Sequence, residues 1–338
     1  MAKEKSEPTK FSSLEDLISS VKLKHGNEII VGSGTSDVTP LSTGIPTLDH
    51  ALGIGGIPKG RIIEIFGPES GGKTTTTLMI AASVQRMTFG NRTGVVAFLD
   101  VENALDPVWA AKLGVDINKM IISQPDNGEQ AYDLACTFAD SGQVDLIIID
   151  SIACLVPKAE IEGTMEDDVQ IGAQARMNSK ALRKLTGKLG DCTLICINQI
   201  REKIGISYGS PEVTPGGRAL RFYSSVRIEV RKGTKVETDK NTQIGTGVNI
   251  KVVKNKIAPP FTTATYNIFY GTPHYPYYGV DYAYELISLA SDLKILTKSG
   301  NFLKYGDRTL GNGLFNSVNA AREDVGLLNE ISQKIYGK

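Results

Sequence analysis

The run Ile62-Ile63-Glu64-Ile65-Phe66, followed at once by Gly67-Pro68-Glu69-Ser70-Gly71-Gly72-Lys73-Thr74, decides the fold. Its first part, rich in β-branched and aromatic side chains, reads as a strand; its second satisfies G-x-x-x-x-G-K-[ST] at every fixed position. Glycines let the backbone N–H groups of such a loop curl around phosphate oxygens, and a helix starting at its end adds the positive pole of its dipole. Lys73 brings a point charge to the β- and γ-phosphates, and the Thr74 hydroxyl is a ligand for Mg²⁺. Average composition yields such a match by chance in roughly one chain per hundred of this length, and the flanking strand and helix make chance rarer.

Outward from this loop, apolar runs at 95–99, 120–123, 146–149 and 193–197 alternate with helical patterns at 74–87, 107–113 and 128–141. Alternation of this kind predicts an α/β core with a mostly parallel sheet and crossover helices. The run at 146–149 ends in Asp150, and a carboxylate at a strand's carboxyl end reaches Mg²⁺ or its water shell. Glu102 follows another apolar strand and is the candidate to polarise a water attacking the γ-phosphate. Runs at 226–231 and 248–253 are expected as added strands, antiparallel to their neighbours. Upstream, Ser12-Ser13-Leu14-Glu15 reads as a capping box opening a helix with Leu14, Leu17, Ile18 and Val21 on one face. A strand at 28–31 and a polar linker at 32–39 follow. From about Gly271 the texture turns aromatic and Gly-rich, with helices expected at 282–289 and 325–335. The expected division is an N-terminal helix and strand over 1–35, an ATPase core over 36–270, and a small α+β domain over 271–338.

Composition narrows the classes. At 338 residues, 41% hydrophobic and 22% charged, the chain has the profile of a globular protein rather than of a disordered or coiled-coil one. No apolar run approaches the ~18 residues of a membrane span, and the polar start lacks a secretory signal, so a cytoplasmic protein without a membrane partner is expected. Four cysteines, Cys136, Cys154, Cys192 and Cys196, are too sparse for a disulfide scaffold and fit apolar or helical surroundings in a reducing compartment. The 37 basic and 37 acidic residues cancel, but unevenly: residues 97–168 carry net −12 and residues 183–256 net +9. Such asymmetry allows one part to face a polyanion, or two solvated faces to offset each other.

The chain closely resembles the bacterial RecA recombinase family. The resemblance rests on the phosphate loop, Ala104-Leu105-Asp106-Pro107, Ser123-Gln124-Pro125-Asp126, the run from Pro157 to Gly163, Asn198-Gln199-Ile200-Arg201, and the run from Lys251 to Lys256, all in the family's order. It implies a RecA-like P-loop ATPase that polymerises into a helical filament on single-stranded DNA and pairs it with homologous double-stranded DNA. ATP with Mg²⁺ is the implied cofactor, held by residues 67–75 including Thr75, with Asp106 and Trp109 against the adenine. Glu102 would activate water, Gln199 would sense the γ-phosphate, and Lys254 and Lys256 would reach the neighbouring subunit's ATP. Segments of about 162–172 and 201–218 match the DNA-binding loops. There Ile171, Arg201, Lys203, Tyr208, Gly216, Gly217 and Arg218, with Arg176 on the following helix, are the expected contacts. The second segment also carries the chemistry by itself: Arg201, Lys203 and Arg218 for phosphates, Tyr208 for stacking, and glycines for close approach. An SOS-type repressor in the DNA-damage response is a further partner the resemblance implies.

Several positions depart from the family pattern. Trp109 stands where Tyr is usual, the first loop is one residue longer and carries Glu166-Asp167-Asp168, and Val213 and Pro215 replace threonines. The end, Ile335-Tyr336-Gly337-Lys338, lacks the acidic tail of many members, so autoinhibition by a tail is not expected. A phage-encoded or divergent member fits these departures. The divergent loops also admit a DNA- and ATP-binding mediator that exchanges strands poorly, and the phosphate loop alone admits a ring-forming ATPase.

Overall fold

The computed structural model describes residues 11–25, 38–163, 172–202, 212–237 and 242–337, in two units, Met1–Thr39 and Pro40–Lys338. In the first unit, α1 (Leu14–His25) is capped by Ser13, whose Oγ accepts from the Asp16 N–H at 3.1 Å. The cap thus lies one residue later than the sequence motif suggested; the expected strand at 28–31 lies outside the described residues.

The second unit is built on a nine-stranded sheet. Its strands are β1 (Ile62–Gly67), β2 (Val96–Asp100), β3 (Met120–Ser123), β4 (Leu146–Asp150), β5 (Thr193–Gln199), β6 (Val226–Glu237), β7 (Gln243–Asn255), β8 (Thr263–Thr272) and β9 (Tyr275–Gly279). The order across the sheet is β9-β8-β7-β6-β1-β5-β4-β2-β3, parallel from β6 to β3 and antiparallel from β6 to β9. Strands β1, β2 and β4 are buried along their whole length, which is why they read as near-continuous apolar runs, interrupted in β1 by Glu64.

Alternate residues of these strands feed two cores. Ile63, Ile65, Phe98, Ile148 and Ile195 meet α2 (Lys73–Arg86) through Leu78, Ile80 and Val84. On the other face Ala97, Leu99, Ile147, Ile149 and Cys196 meet α4 (Gly128–Asp140) and α5 (Ala173–Thr186) through Ala131, Ala135, Leu182 and Leu185. Between these lies the short α3 (Pro107–Lys112). After the sheet come α7 (Tyr282–Asp292), an antiparallel trio β10 (Thr297–Ser299), β11 (Phe302–Tyr305) and β12 (Arg308–Asn312), then α8 (Gly313–Arg322) and α9 (Val325–Tyr336). They enclose their own core of Leu286, Leu303, Val318 and Ile331.

Two expectations change. The boundary expected at 270 falls inside β8, and the sheet continues to Gly279. The aromatic, Gly-rich texture there belongs to a tight hairpin that turns at Pro273–His274, with Gly271 (φ +65°) at a bulge in β8, not to the start of a new domain. Cys154 is exposed on the single turn Ile152–Cys154, whereas Cys136, Cys192 and Cys196 are buried and free.

The junction after β9 is tied by buried charge. Asp281 accepts from the Tyr284 N–H at 3.1 Å, from the Tyr275 hydroxyl at 2.5 Å and from Arg322. One turn on, Glu285 accepts from the Asn267 N–H at 2.9 Å. Burial, reinforced by Asp281 and opposed by the Asn267 bond, raises the Glu285 carboxyl from 4.5 to about 8. The folded state therefore keeps a proton that the unfolded chain has lost, so stability is full below pH 4.5 and falls as pH rises through about 8. Glu285→Gln, neutral throughout, should be more stable than the parent by up to about 5 kcal/mol above that window and equal to it at the acid end. Urea unfolding against pH checks this; parallel profiles for the two proteins would contradict it.

Candidate functional site

The phosphate loop is where β1 runs out. Gly67 is the last residue of β1 and buried, and a Cβ there would lie 2.0 Å from the Val230 carbonyl oxygen of β6. Pro68, Glu69 and Ser70 form the outward arc, with Ser70 at φ +55°. Gly71 closes the arc by donating its N–H to the Pro68 carbonyl at 3.3 Å, and Gly72, at φ +95°, is the residue from which α2 starts. The first N–H groups of α2, from Lys73, Thr74 and Thr75, thus gather at the loop, a ready cradle for anions. Lys73 curls back, its ammonium donating to the Pro68 carbonyl at 2.7 Å and to that of Gly67 at 3.1 Å. Burial lowers its pKa, against the pull of Asp150, Glu102 and Glu69.

The carboxylates converge from the next strands. Asp150 ends β4 and accepts from the Thr74 hydroxyl at 2.7 Å. Burial raises its pKa to about 6, the Thr74 bond and Lys73 opposing, Glu102 and Asp100 adding. Glu102, two residues beyond β2, receives on Oε1 the hydroxyl of Ser151, the Gln199 amide at 3.2 Å and the Cys154 thiol at 3.5 Å. Gln199 is the last residue of β5, so the candidate base and the candidate γ-phosphate sensor are joined directly. Asp106 caps α3, taking the N–H groups of Val108 at 2.8 Å and Trp109 at 3.1 Å. The Trp109 ring meets Tyr278 edge-on, centroids 6.2 Å apart.

Lys254 and Lys256 are elsewhere. Lys254 is paired with Arg227 of β6, which is paired with Glu64 midway along β1, and the Lys256 N–H donates to the Ser225 carbonyl, beside the start of β1. Both lysines therefore sit toward the end of the sheet opposite their own phosphate loop. Lys254 donates to the carbonyls of Arg221 at 2.7 Å and Phe222 at 3.2 Å, closing the end of α6 (Ala219–Tyr223).

The first candidate DNA-binding segment, about 162–172, leads into α5, where Arg176 is exposed. The second has a two-rung stem in which Arg201 pairs with Val213 and Glu202 with Glu212. Its return limb passes through Gly216 and Gly217, at φ +83° and +84°, to the exposed Arg218. Ile171, Lys203 and Tyr208 lie outside the described residues.

Comparison with known proteins finds matches over nearly the whole chain. Residues 12–274 match the RecA N-terminal domain and residues 284–338 the RecA C-terminal domain. Protein RecA of Clostridium novyi is 48% identical over 97% of this chain and 92% of its own length. Protein RecA of Thermus aquaticus is 47% identical over 97% of this chain and 95% of its own. The chain belongs to the RecA family. Its activity is that of RecA recombinases, DNA-dependent ATPases that bind ATP and DNA, form filaments, and serve DNA recombination and repair. No helix among the described residues is long and apolar enough to cross a membrane.

Beside the RecA motifs stand residues that the sequence alone did not single out. Asp100, buried at the end of β2, accepts from the N–H groups of Ala104 and Leu105 and from Gln124, and so shapes the turn that carries Glu102. Its signal was visible: an acid ending an apolar strand, as Asp150 does. Ser151 orients Glu102 across 49 residues of sequence, a relation no local pattern carries.

The Glu102–Gln199 bond yields a prediction. Gln199→Asn shortens the side chain by one methylene and cannot span from β5 to Glu102. This variant should bind a fluorescent ATP analogue as the parent does, yet lose the ATP-induced gain in DNA affinity. Nucleotide-dependent tightening preserved in the variant would remove Gln199 from that role.

Proposed function

We propose that the protein assembles as a helical filament on single-stranded DNA and catalyses homologous pairing and strand exchange, hydrolysing ATP at sites shared between subunits. The observation that carries this reading is the separation of Lys254 and Lys256 from the phosphate loop of their own chain, which leaves a neighbour's nucleotide as their target. In this reading residues 67–75 cradle the phosphates, Lys73 leaves its two loop carbonyls for the β- and γ-phosphates, and Asp106 and Trp109 face the adenine. Glu102, oriented by Ser151, accepts a proton from the attacking water, and Gln199 reports the γ-phosphate to residues 201–218. Lys254 and Lys256 of the next subunit offset the charge that develops in the transition state.

The hydroxyl of Thr74 and the carboxylate of Asp150 fit Mg²⁺, a small hard cation commonly held by one or two protein oxygens plus phosphates and water. When bound, it neutralises phosphate charge; a cation beside Asp150 would also favour the ionised carboxylate that burial disfavours.

DNA would be held by Arg176, Arg201, Lys203 and Arg218 through phosphates, with Ile171, Tyr208, Gly216 and Gly217 giving surface for bases and backbone. We further assign residues 1–35 to polymerisation, expect a cytoplasmic location, and include an SOS-type repressor among the partners.

ATP hydrolysis with and without single-stranded DNA tests the reading. DNA should stimulate the parent strongly, and Glu102→Ala and Lys254→Ala should each abolish the stimulation, by about 100-fold or more in turnover. Activity that ignores DNA, or survives loss of Lys254, would favour a self-contained ATPase. Affinity for the strand should also fall steeply between about 50 and 200 mM salt, as counterion release requires; a flat profile would contradict backbone-mediated binding.

A further inference from the structure

Helix α5 starts at Gly172, at the end of the first candidate DNA loop, and its buried face meets the return limb of the second. Asn178 lies on that face at 0% exposure, close to Leu182 and Leu185 in a core where an aliphatic side chain would pack without polar obligations. Its Oδ1 accepts from the Tyr132 hydroxyl of α4 at 2.9 Å, and its Nδ2 donates to the Gly216 carbonyl at 3.0 Å. Next to it Asn198 of β5, also at 0% exposure, donates to the Pro215 carbonyl at 3.3 Å and to Glu64 at 3.1 Å. Two buried amides therefore grip consecutive carbonyls of one limb, one from the strand that carries Gln199, the other from the helix that follows the first loop.

The limb has no slack there. A Cβ on Gly216 would lie 2.6 Å from Nδ2 of Asn178, and one on Gly217 would lie 2.7 Å from Cβ of Ala175. Gln174, one residue earlier, fixes the start of the same helix by donating to the Leu155 carbonyl at 2.8 Å.

We infer that Asn178, oriented by Tyr132, is a positioning residue for DNA binding. It pins the limb leading to Arg218 against the helix that carries Arg176, so these two arginines are presented to one strand at a fixed spacing. The amide contacts no DNA itself. The inference rests on the reading of residues 201–218 as a DNA-binding loop.

The full-length protein with an unhydrolysed ATP analogue and a fluorescent oligothymidine tests it, in Asn178→Leu, Tyr132→Phe/Asn178→Leu and, as a control on the loop itself, Arg201→Ala. Asn178→Leu should weaken oligonucleotide binding by about tenfold and leave binding of a fluorescent ATP analogue unchanged. The single variant leaves the Tyr132 hydroxyl buried without its acceptor. The double variant removes that orphan as well, so its melting temperature should return to within about 2 °C of the parent. Its DNA affinity should stay about tenfold low, because nothing donates to the Gly216 carbonyl. Recovery of DNA affinity along with melting temperature would overturn the inference and leave Asn178 a packing residue. Loss of affinity in Arg201→Ala with none in Asn178→Leu would overturn the positioning role alone. No effect of Arg201→Ala would bring down the reading of the loop, and this inference with it.

Discussion

A carboxylate with no solvent exposure sits in the middle of the central strand: Glu64 of β1, bound by Arg227 from β6 and by Asn198 from β5. Burying an ion costs several kcal/mol, and only good geometry with further hydrogen bonds offsets that cost. Here Arg227 supplies the opposite charge and lays its guanidinium over the Phe66 ring at 4.5 Å, while Asn198 takes up the remaining oxygen. The ion pair thereby locks three adjacent strands in one register. The elements of the site project from them: the phosphate loop from β1, Gln199 from β5, and Lys254 opposite Arg227 on the strand paired with β6.

Much of this architecture was legible because parallel strands buried on both faces are apolar along most of their length. Strand β3 appears at 120–123 as read, and α2 and α4 within a residue at each end. Helix α5 was expected only through the resemblance, as the helix carrying Arg176, and not from periodicity, since only Asn178, Leu182 and Leu185 of its 14 residues are buried and its other faces are polar. The hairpin of β8 and β9 was taken for the start of a new domain because tyrosines and glycines serve a tight turn and a loop-rich domain alike. Only its pairing with β7 makes it part of the sheet.

In the candidate site, the residues found from sequence are those whose chemistry is fixed by a short spacing. The phosphate loop is one such case, and an acid at a strand end is another. What could not be found is what joins them. Ser151 to Glu102, Gln199 to Glu102 and Asn178 to Gly216 are contacts between segments 49, 97 and 38 residues apart. Hydroxyls and amides of this kind are common along any chain, and only the crossing of strands and helices gives one of them a particular partner.

Gly67 separates two kinds of constraint that a motif merges. Lys73 and Thr74 answer to the nucleotide and could be lost without disturbing the sheet, but Gly67 answers to Val230, whose carbonyl oxygen occupies the place of its missing side chain. A descendant that abandoned ATP would be free to drift at the lysine and the threonine while still obliged to keep that glycine. The first letter of the motif is thus a record of the fold and the last two are a record of the chemistry, so their separate fates would date the loss of activity in a lineage.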